Sequence, residues 1–103
     1  MIKVSVLYPK GTDSKFDMEY YLEKHISMVK ERFGLRCKGV SVDEGLSAGA
    51  AGTEPAYVAI AHFLFESIDD FQEAFGPHSA EIMGDIQNYT NISPIIQMSQ
   101  VRI

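Results

Sequence analysis

Three histidines lie in contexts that could carry chemistry. His25 sits between Leu22 and Val29 on an apolar stripe at helical spacing. An imidazole there must find a partner or stay neutral, because burying its charge is costly. It also titrates near neutrality, which suits a general acid or base. The bland reading is a core histidine bonded to a carbonyl. His62 interrupts an apolar strand pattern and shares parity with Val58, Ile60 and Leu64. It lines a helix-side pocket or pairs across a dimer, and parity alone does not say which. Were both histidines to face one cavity, they would form an acid–base pair with one member neutral and one protonated. His78 follows Pro77, and with Glu81 and Asp85 it repeats at spacings of three and four on one helix. That pattern is either a metal-ligand set or a solvated face with local ion pairs. A three-ligand site usually needs support from a second element, so the solvated face is the expectation and no metal is assigned.

Tyr20, Tyr21 and Tyr89 supply amphipathic rings. Tyr21 flanks the His25 stripe, so its hydroxyl either points at a pocket ligand or stays in water. Asp17 reads as a helix cap rather than a base. Cys37, the one cysteine, falls in a strand pattern with no neighbouring cation. It reads as a small hydrophobe rather than a nucleophile, and it excludes an internal disulfide.

The elements that must position these residues follow from periodicity. Ile2, Val4, Val6 and Tyr8 alternate with Lys3, Ser5 and Leu7, which predicts a strand ended by Pro9-Lys10-Gly11. A helix follows from Asp17 to about Phe33, with Gly34 as its stop and Lys30 and Arg32 suiting its last turn. At about 100° per residue, Met18, Leu22, His25, Val29 and Phe33 share one face, flanked by Tyr21 and Ile26. Leu35 to Val42 reads as a second strand, weakened by Gly39. The small-residue stretch from Gly45 to Gly52 reads as a mobile loop. Tyr57 to Phe65 is the clearest strand. Ser67 caps a helix with Ile68, Phe71 and Phe75 on its apolar face, Gly76-Pro77 breaks it, and a second piece runs to about Ile86. Ile92 to Ile103 closes the chain as a last strand, with Pro94 near its start. The order β-α-β-β-α-β is the ferredoxin-like pattern: an α+β fold with an antiparallel sheet, in one domain spanning residues 1–103.

Strand three predicts an assembly. An antiparallel sheet with helices on one face should alternate apolar and polar residues. Here Val58, Ile60 and Leu64 point one way, and Tyr57, Ala59, Ala61, Phe63 and Phe65 the other. Two helices cover only one of these faces. Covering the other is worth several kcal/mol at ~25 cal/mol per Å², before association costs. The simplest cover is a second copy about a two-fold axis. Cover by the chain's own Gly/Ala loop offers too little apolar area.

Composition closes off other classes. The net charge is −5 with no cluster of Lys or Arg, so the footprint needed to neutralise phosphates is missing and no nucleic acid is expected. No basic amphipathic face suits a membrane surface, and the longest apolar stretch is too short to span a bilayer. The first residues enter a strand pattern directly, without a leader, so a cytoplasmic location is expected. The two Asn-X-Ser/Thr matches at Asn88 and Asn91 are read as chance. The glycine stretches lack the strand-loop-helix context of a phosphate-binding loop, so no nicotinamide or flavin site, and no cofactor, is expected.

Phe16-Asp17, Tyr20-Tyr21 and His25; Gly39-Val40-Ser41-Val42; Ala61-His62-Phe63-Leu64-Phe65; Phe71 to Phe75 with Gly76-Pro77-His78; and Ile82 through Thr90 occur in this order along the chain. Together these stretches resemble the EthD family, within the dimeric α+β barrel superfamily. The resemblance implies the same barrel-like homodimer. It implies a catabolic role without fixing a reaction, since related barrels include cofactor-free monooxygenases, lactone isomerases, and dehydratases or cyclases. It implies a histidine role at His25, because related lactone isomerases are thought to use one at the matching helix position. Relatives often carry proline two residues later, where this chain has Ser27, so its helix is expected to run through without a break.

The resulting expectation is a small apolar or aromatic metabolite held between the first helix and the sheet. His25 and His62 are the catalytic candidates, and Tyr20, Tyr21, Leu22 and His78 the ligand-binding ones. Proton-transfer chemistry such as isomerisation, dehydration or decarboxylation is expected first, and cofactor-free monooxygenation next. The alternative is a non-catalytic carrier or accessory protein of a degradative oxidation system.

Overall fold

The computed structural model describes residues 1–103. Four strands form one antiparallel sheet: β1 (Ile2–Pro9), β2 (Gly39–Glu44), β3 (Tyr57–Phe65) and β4 (Ile95–Gln100). Their spatial order is β2-β3-β1-β4, which makes β3 and β1 the two central strands. The register sets Val4 beside Phe63 and Met98, and Val6 beside Ala61 and Ile96. Residues of one parity therefore form a continuous apolar surface under the helices. Tyr8, Val4, Ala59, Ala61 and Phe65 are sealed at its centre. Alanine at two adjacent inward positions of β3 removes bulk and lets the helices approach closely.

The first helix, α1, runs without interruption from Met18 to Phe33. Asp17 caps it, its carboxylate accepting from the Tyr20 amide at 3.1 Å. Gly34 ends it at a positive φ of 61°, which a β-carbon would oppose. As expected with Ser27 in place of proline, the helix does not break. Its bonding is not uniform, however: Met18–Tyr20 and Ser27–Phe33 are α-helical, whereas Tyr21–Ile26 is π-helical. A π turn bonds i to i+5, so it turns each residue through less than the α-helical angle and rotates everything beyond it. Tyr21, His25, Ile26, Val29 and Phe33 consequently share the buried face. Leu22 is swung outside it and is 45% exposed, which corrects its expected place in the apolar stripe.

A second helical layer comprises α2 (Ile68–Phe75) and α3 (Ser79–Gly84), joined by a short 3₁₀ turn at Gly76–His78. Ser67 caps α2, accepting from the Asp70 amide. Phe71 packs edge-on against Phe33 and Phe65, and stacks with Phe75.

Two boundaries differ from the sequence reading. A 3₁₀ turn over Gly34–Arg36 delays β2 to Gly39. β4 is shorter than Ile92 to Ile103, since its pairing with β1 covers Ile95 to Gln100. The Gly/Ala segment is also anchored at its start: the Gly45 amide bonds the Val58 carbonyl at 3.0 Å, and a β-carbon on Gly45 would clash with the Tyr57 carbonyl. No helix is long and apolar enough to cross a membrane.

The helices leave part of the sheet uncovered on both sides. Ile96 and Met98 of β4, on the helix side, are 48% and 42% exposed. On the opposite face Leu7, Val58, Ile60 and Leu64 are half-buried and Ile95 is exposed.

Candidate functional site

A cavity of about 220 Å³ lies between the sheet and the helices. Val4, Val6 and Tyr8 of β1 form its floor, and Ile26, Val29 and Phe33 of α1 one wall. Phe71, Phe75, Ile82 and Met83 close the other side, while Pro94, Ile96 and Met98 form a rim on the β4 side. Met83, Ile96 and Met98 are all partly open to solvent, so the mouth lies there. A dry apolar cavity of roughly 150 Å³ holds a benzene molecule. This one has room for a ring with a short substituent.

His25 is the titratable imidazole of the lining. It is buried, stacked on Tyr21 with ring centroids 5.6 Å apart and 15° between planes, and lies 4.7 Å from the Tyr89 ring. Its Nδ1 lies 2.9 Å from Oδ2 of Asp85, which immediately follows α3. The other carboxylate oxygen of Asp85 accepts from the Tyr20 hydroxyl at 2.7 Å and from the Asn88 amide at 2.9 Å. Tyr20 thus lies outside the cavity, holding the carboxylate that holds the histidine.

The electrostatics fix the tautomer. Burial pushes the His25 pKa down, and the hydrogen bond and charge of Asp85 only partly offset this. The imidazole is therefore neutral at pH 7. Partial burial alone would raise the Asp85 pKa, but donors from Asn88, Tyr20 and His25 outweigh it and hold the carboxyl below its ordinary range. An ionised carboxylate only accepts, so Nδ1 of His25 carries the proton and Nε2 carries the lone pair. Nε2 has no hydrogen-bond partner, yet every fully buried side-chain nitrogen and oxygen of the chain has one. Nε2 is therefore not sealed off. The arrangement is a neutral imidazole in the lining of an apolar cavity, one nitrogen braced by a carboxylate and the other carrying a lone pair, which is the equipment of a general base.

Beside it the Tyr8 and Tyr89 hydroxyls share a hydrogen bond of 2.6 Å. Burial pushes both phenols, and that of Tyr21, well above the ordinary tyrosine range, so all three stay protonated.

The other sequence candidates fall elsewhere. His62 is on the sheet face away from the helices. Ala59, Ala61, Phe63 and Phe65 point inward, so the alternation sends His62 outward with Val58, Ile60 and Leu64. Its Nδ1 lies 2.7 Å from the Ser5 hydroxyl and its Nε2 4.0 Å from Asp43. The sheet separates it from His25, so the two do not form an acid–base pair. His78 sits in the turn before α3, away from the cavity lining. Leu22 is likewise outside that lining. Of the four expected ligand contacts, Tyr21 alone faces the cavity. The His78, Glu81 and Asp85 spacing does not converge either: Asp85 turns to His25, while Glu81 takes a bidentate bond from Arg32 at 2.8 and 3.1 Å.

Asp85 is the member of this cluster that the sequence hid. Its helical spacing placed it with His78 and Glu81, whereas its partner lies sixty residues away. The nearby donors Tyr20 and Asn88 carry no motif that would signal the clamp.

An antiparallel sheet in this order, with helices on one face and a cavity between the layers, defines an α+β protein of ferredoxin-like fold. A family model described as the EthD domain matches residues 9–93, and the chain belongs to the EthD family. Among solved structures, an EthD-like protein from Ralstonia eutropha is 44% identical at a TM-score of 0.95, the match covering 99% of this chain and 92% of that one. A dimeric protein of ferredoxin-like fold from Bacteroides fragilis superimposes at a TM-score of 0.56 and 15% identity, over 97% of this chain and 95% of that one. SnoaB, a cofactor-independent oxygenase from Streptomyces nogalater, superimposes at a TM-score of 0.51 and 15% identity, over 99% and 92%. At that level of identity the last two share the fold. No curated protein matches the chain.

Proposed function

We propose that this protein is a homodimer that binds a small apolar or aromatic metabolite in the helix–sheet cavity and moves a proton on it through His25. The observation that carries this reading is the pairing of Asp85 with Nδ1 of a neutral histidine that lines an otherwise apolar slot and whose Nε2 has no hydrogen-bond partner. Asp85 stabilises the imidazolium formed when Nε2 takes a proton, and the same group returns it. Isomerisation and dehydration need no more than this. Cofactor-free oxygenation starts from the same deprotonation, on a substrate whose anion itself reacts with dioxygen.

The dimer is supported by the half-exposed apolar residues Leu7, Val58, Ile60, Leu64 and Ile95 on the sheet face without helices. A fold neighbour described as dimeric agrees with it. Native mass spectrometry of the purified protein tests both halves of the proposal. A dimer mass with a retained small molecule supports it, and a clean monomer at micromolar concentration contradicts the assembly. The carrier reading separates from the enzyme reading at His25→Ala. An enzyme loses about 100-fold or more in rate, whereas a carrier changes only in affinity.

A further inference from the structure

We propose that the cavity selects its ligand by charge. It takes a neutral molecule that presents one weakly acidic O–H or activated C–H to His25, and it rejects carboxylates, phosphates and carriers built on phosphate. This deepens the reading of the cavity as a ligand site and rests on it.

No Lys, Arg, Asp or Glu is among the seventeen residues that line the cavity, and fifteen of them are hydrophobic. An anion entering would leave water and meet no cation, which is the most costly form of burial. The nearby basic residues lie outside the lining. Lys24 borders a separate groove on the outer side of Asp85, and Arg32 is held by Glu81 and Glu31. Asp85 adds repulsion, because its carboxylate lies directly behind the imidazole that a ligand would touch. His25 offers no compensating charge, since burial keeps it neutral.

A weak acid escapes this penalty because it arrives uncharged and brings the proton that creates its own counter-ion. Its O–H or C–H bond breaks, the new N–H bond forms at Nε2, and the electron pair stays on the ligand. The anion then lies against an imidazolium whose Nδ1–H is bonded to Asp85. The step consumes no co-reactant.

Calorimetric titration of the protein with 4-ethylphenol, ethylbenzene and 4-ethylbenzoate at pH 8 tests this, since the benzoate is ionised there and the phenol is not. The phenol is expected to bind about tenfold more tightly than the hydrocarbon, the gain of one hydrogen bond to Nε2. The benzoate is expected to bind roughly a hundredfold more weakly than the phenol. In His25→Phe or His25→Leu the phenol loses its advantage. A benzoate that binds within tenfold of the phenol overturns the proposal on the unmodified protein alone, as does a phenol no better than ethylbenzene. Failure of all three, ethylbenzene included, removes the cavity as a ligand site and the selectivity with it, and is told apart by the loss of the hydrocarbon.

Discussion

Asp85→Asn removes one charge and almost no volume, and the hydrogen-bond geometry dictates how His25 responds. Oδ1 of Asp85 accepts from Tyr20 at 2.7 Å and from Asn88 at 2.9 Å, while Oδ2 faces Nδ1 of His25 at 2.9 Å. An amide has one accepting oxygen and one donating nitrogen. If its oxygen stays with Tyr20 and Asn88, its NH₂ faces Nδ1, and His25 must shift its proton to Nε2 in order to accept. If the amide is reversed, its NH₂ meets the NH₂ of Asn88, donor against donor. The first arrangement keeps every bond, so the tautomer flips. Exchanging charge-assisted bonds for neutral ones costs about 1–2 kcal/mol of stability. On the proposed function the loss of activity should be larger, because Nε2 turns from acceptor to donor and general-base catalysis of roughly 10²–10⁴-fold is expected to disappear. Two-bond ¹H–¹⁵N correlation spectra of histidine-labelled protein read the tautomer directly. Wild type should show an unprotonated Nε2 on His25, and folded Asp85→Asn a protonated one. An Nε2 that keeps its lone pair in the variant would refute the claim that Asp85 sets the tautomer.

Four other outcomes follow from the structure. Because burial holds the folded-state pKa of His25 below its ordinary 6.5, the unfolded chain binds the proton more readily. Stability is therefore full above about pH 6.5 and is lost as pH falls through the folded value. Melting temperature against pH should fall less steeply over that window in His25→Phe than in wild type, and equal slopes would contradict the burial argument. Val6→Phe adds bulk to the cavity floor, so it should abolish ethylbenzene binding while the far-ultraviolet circular dichroism is retained. Ile60→Asp places a charge on the uncovered sheet face and should give a monomer in light scattering, whereas Leu22→Ala, on an exposed position, should change stability by no more than about 0.5 kcal/mol.

Much of the fold is legible in the sequence because its signals are local. The period of two in β1 and β3, the caps Asp17 and Ser67, and the stops Gly34 and Pro77 each act within a few residues. Choices made across the fold are not legible in this way. Parity places His62 with Val58 and Ile60 but cannot say which face the helices cover. The answer depends on how well Ala59 and Ala61 let the helices approach. A uniform 100° step misplaces Leu22, because the π-helical turn that displaces it leaves no mark in composition. His25 is legible as a polar residue on a buried stripe. Its partner is not, since an aspartate beside a glutamate-bearing helical face looks like surface until the chain brings it back to α1. The site is thus a product of tertiary contacts between Tyr20, His25, Asp85 and Asn88, of which local sequence shows only the members.

The proposed function turns on a lone pair at Nε2 of His25 that reaches a slot with room for a ring. A crystal structure of the protein with 4-ethylphenol tests it most directly. The ring is expected between α1 and β1, with its oxygen about 2.6–3.2 Å from Nε2. A ring lodged there with its oxygen turned toward the Met83 and Met98 rim, or one bound only outside the cavity, would contradict it.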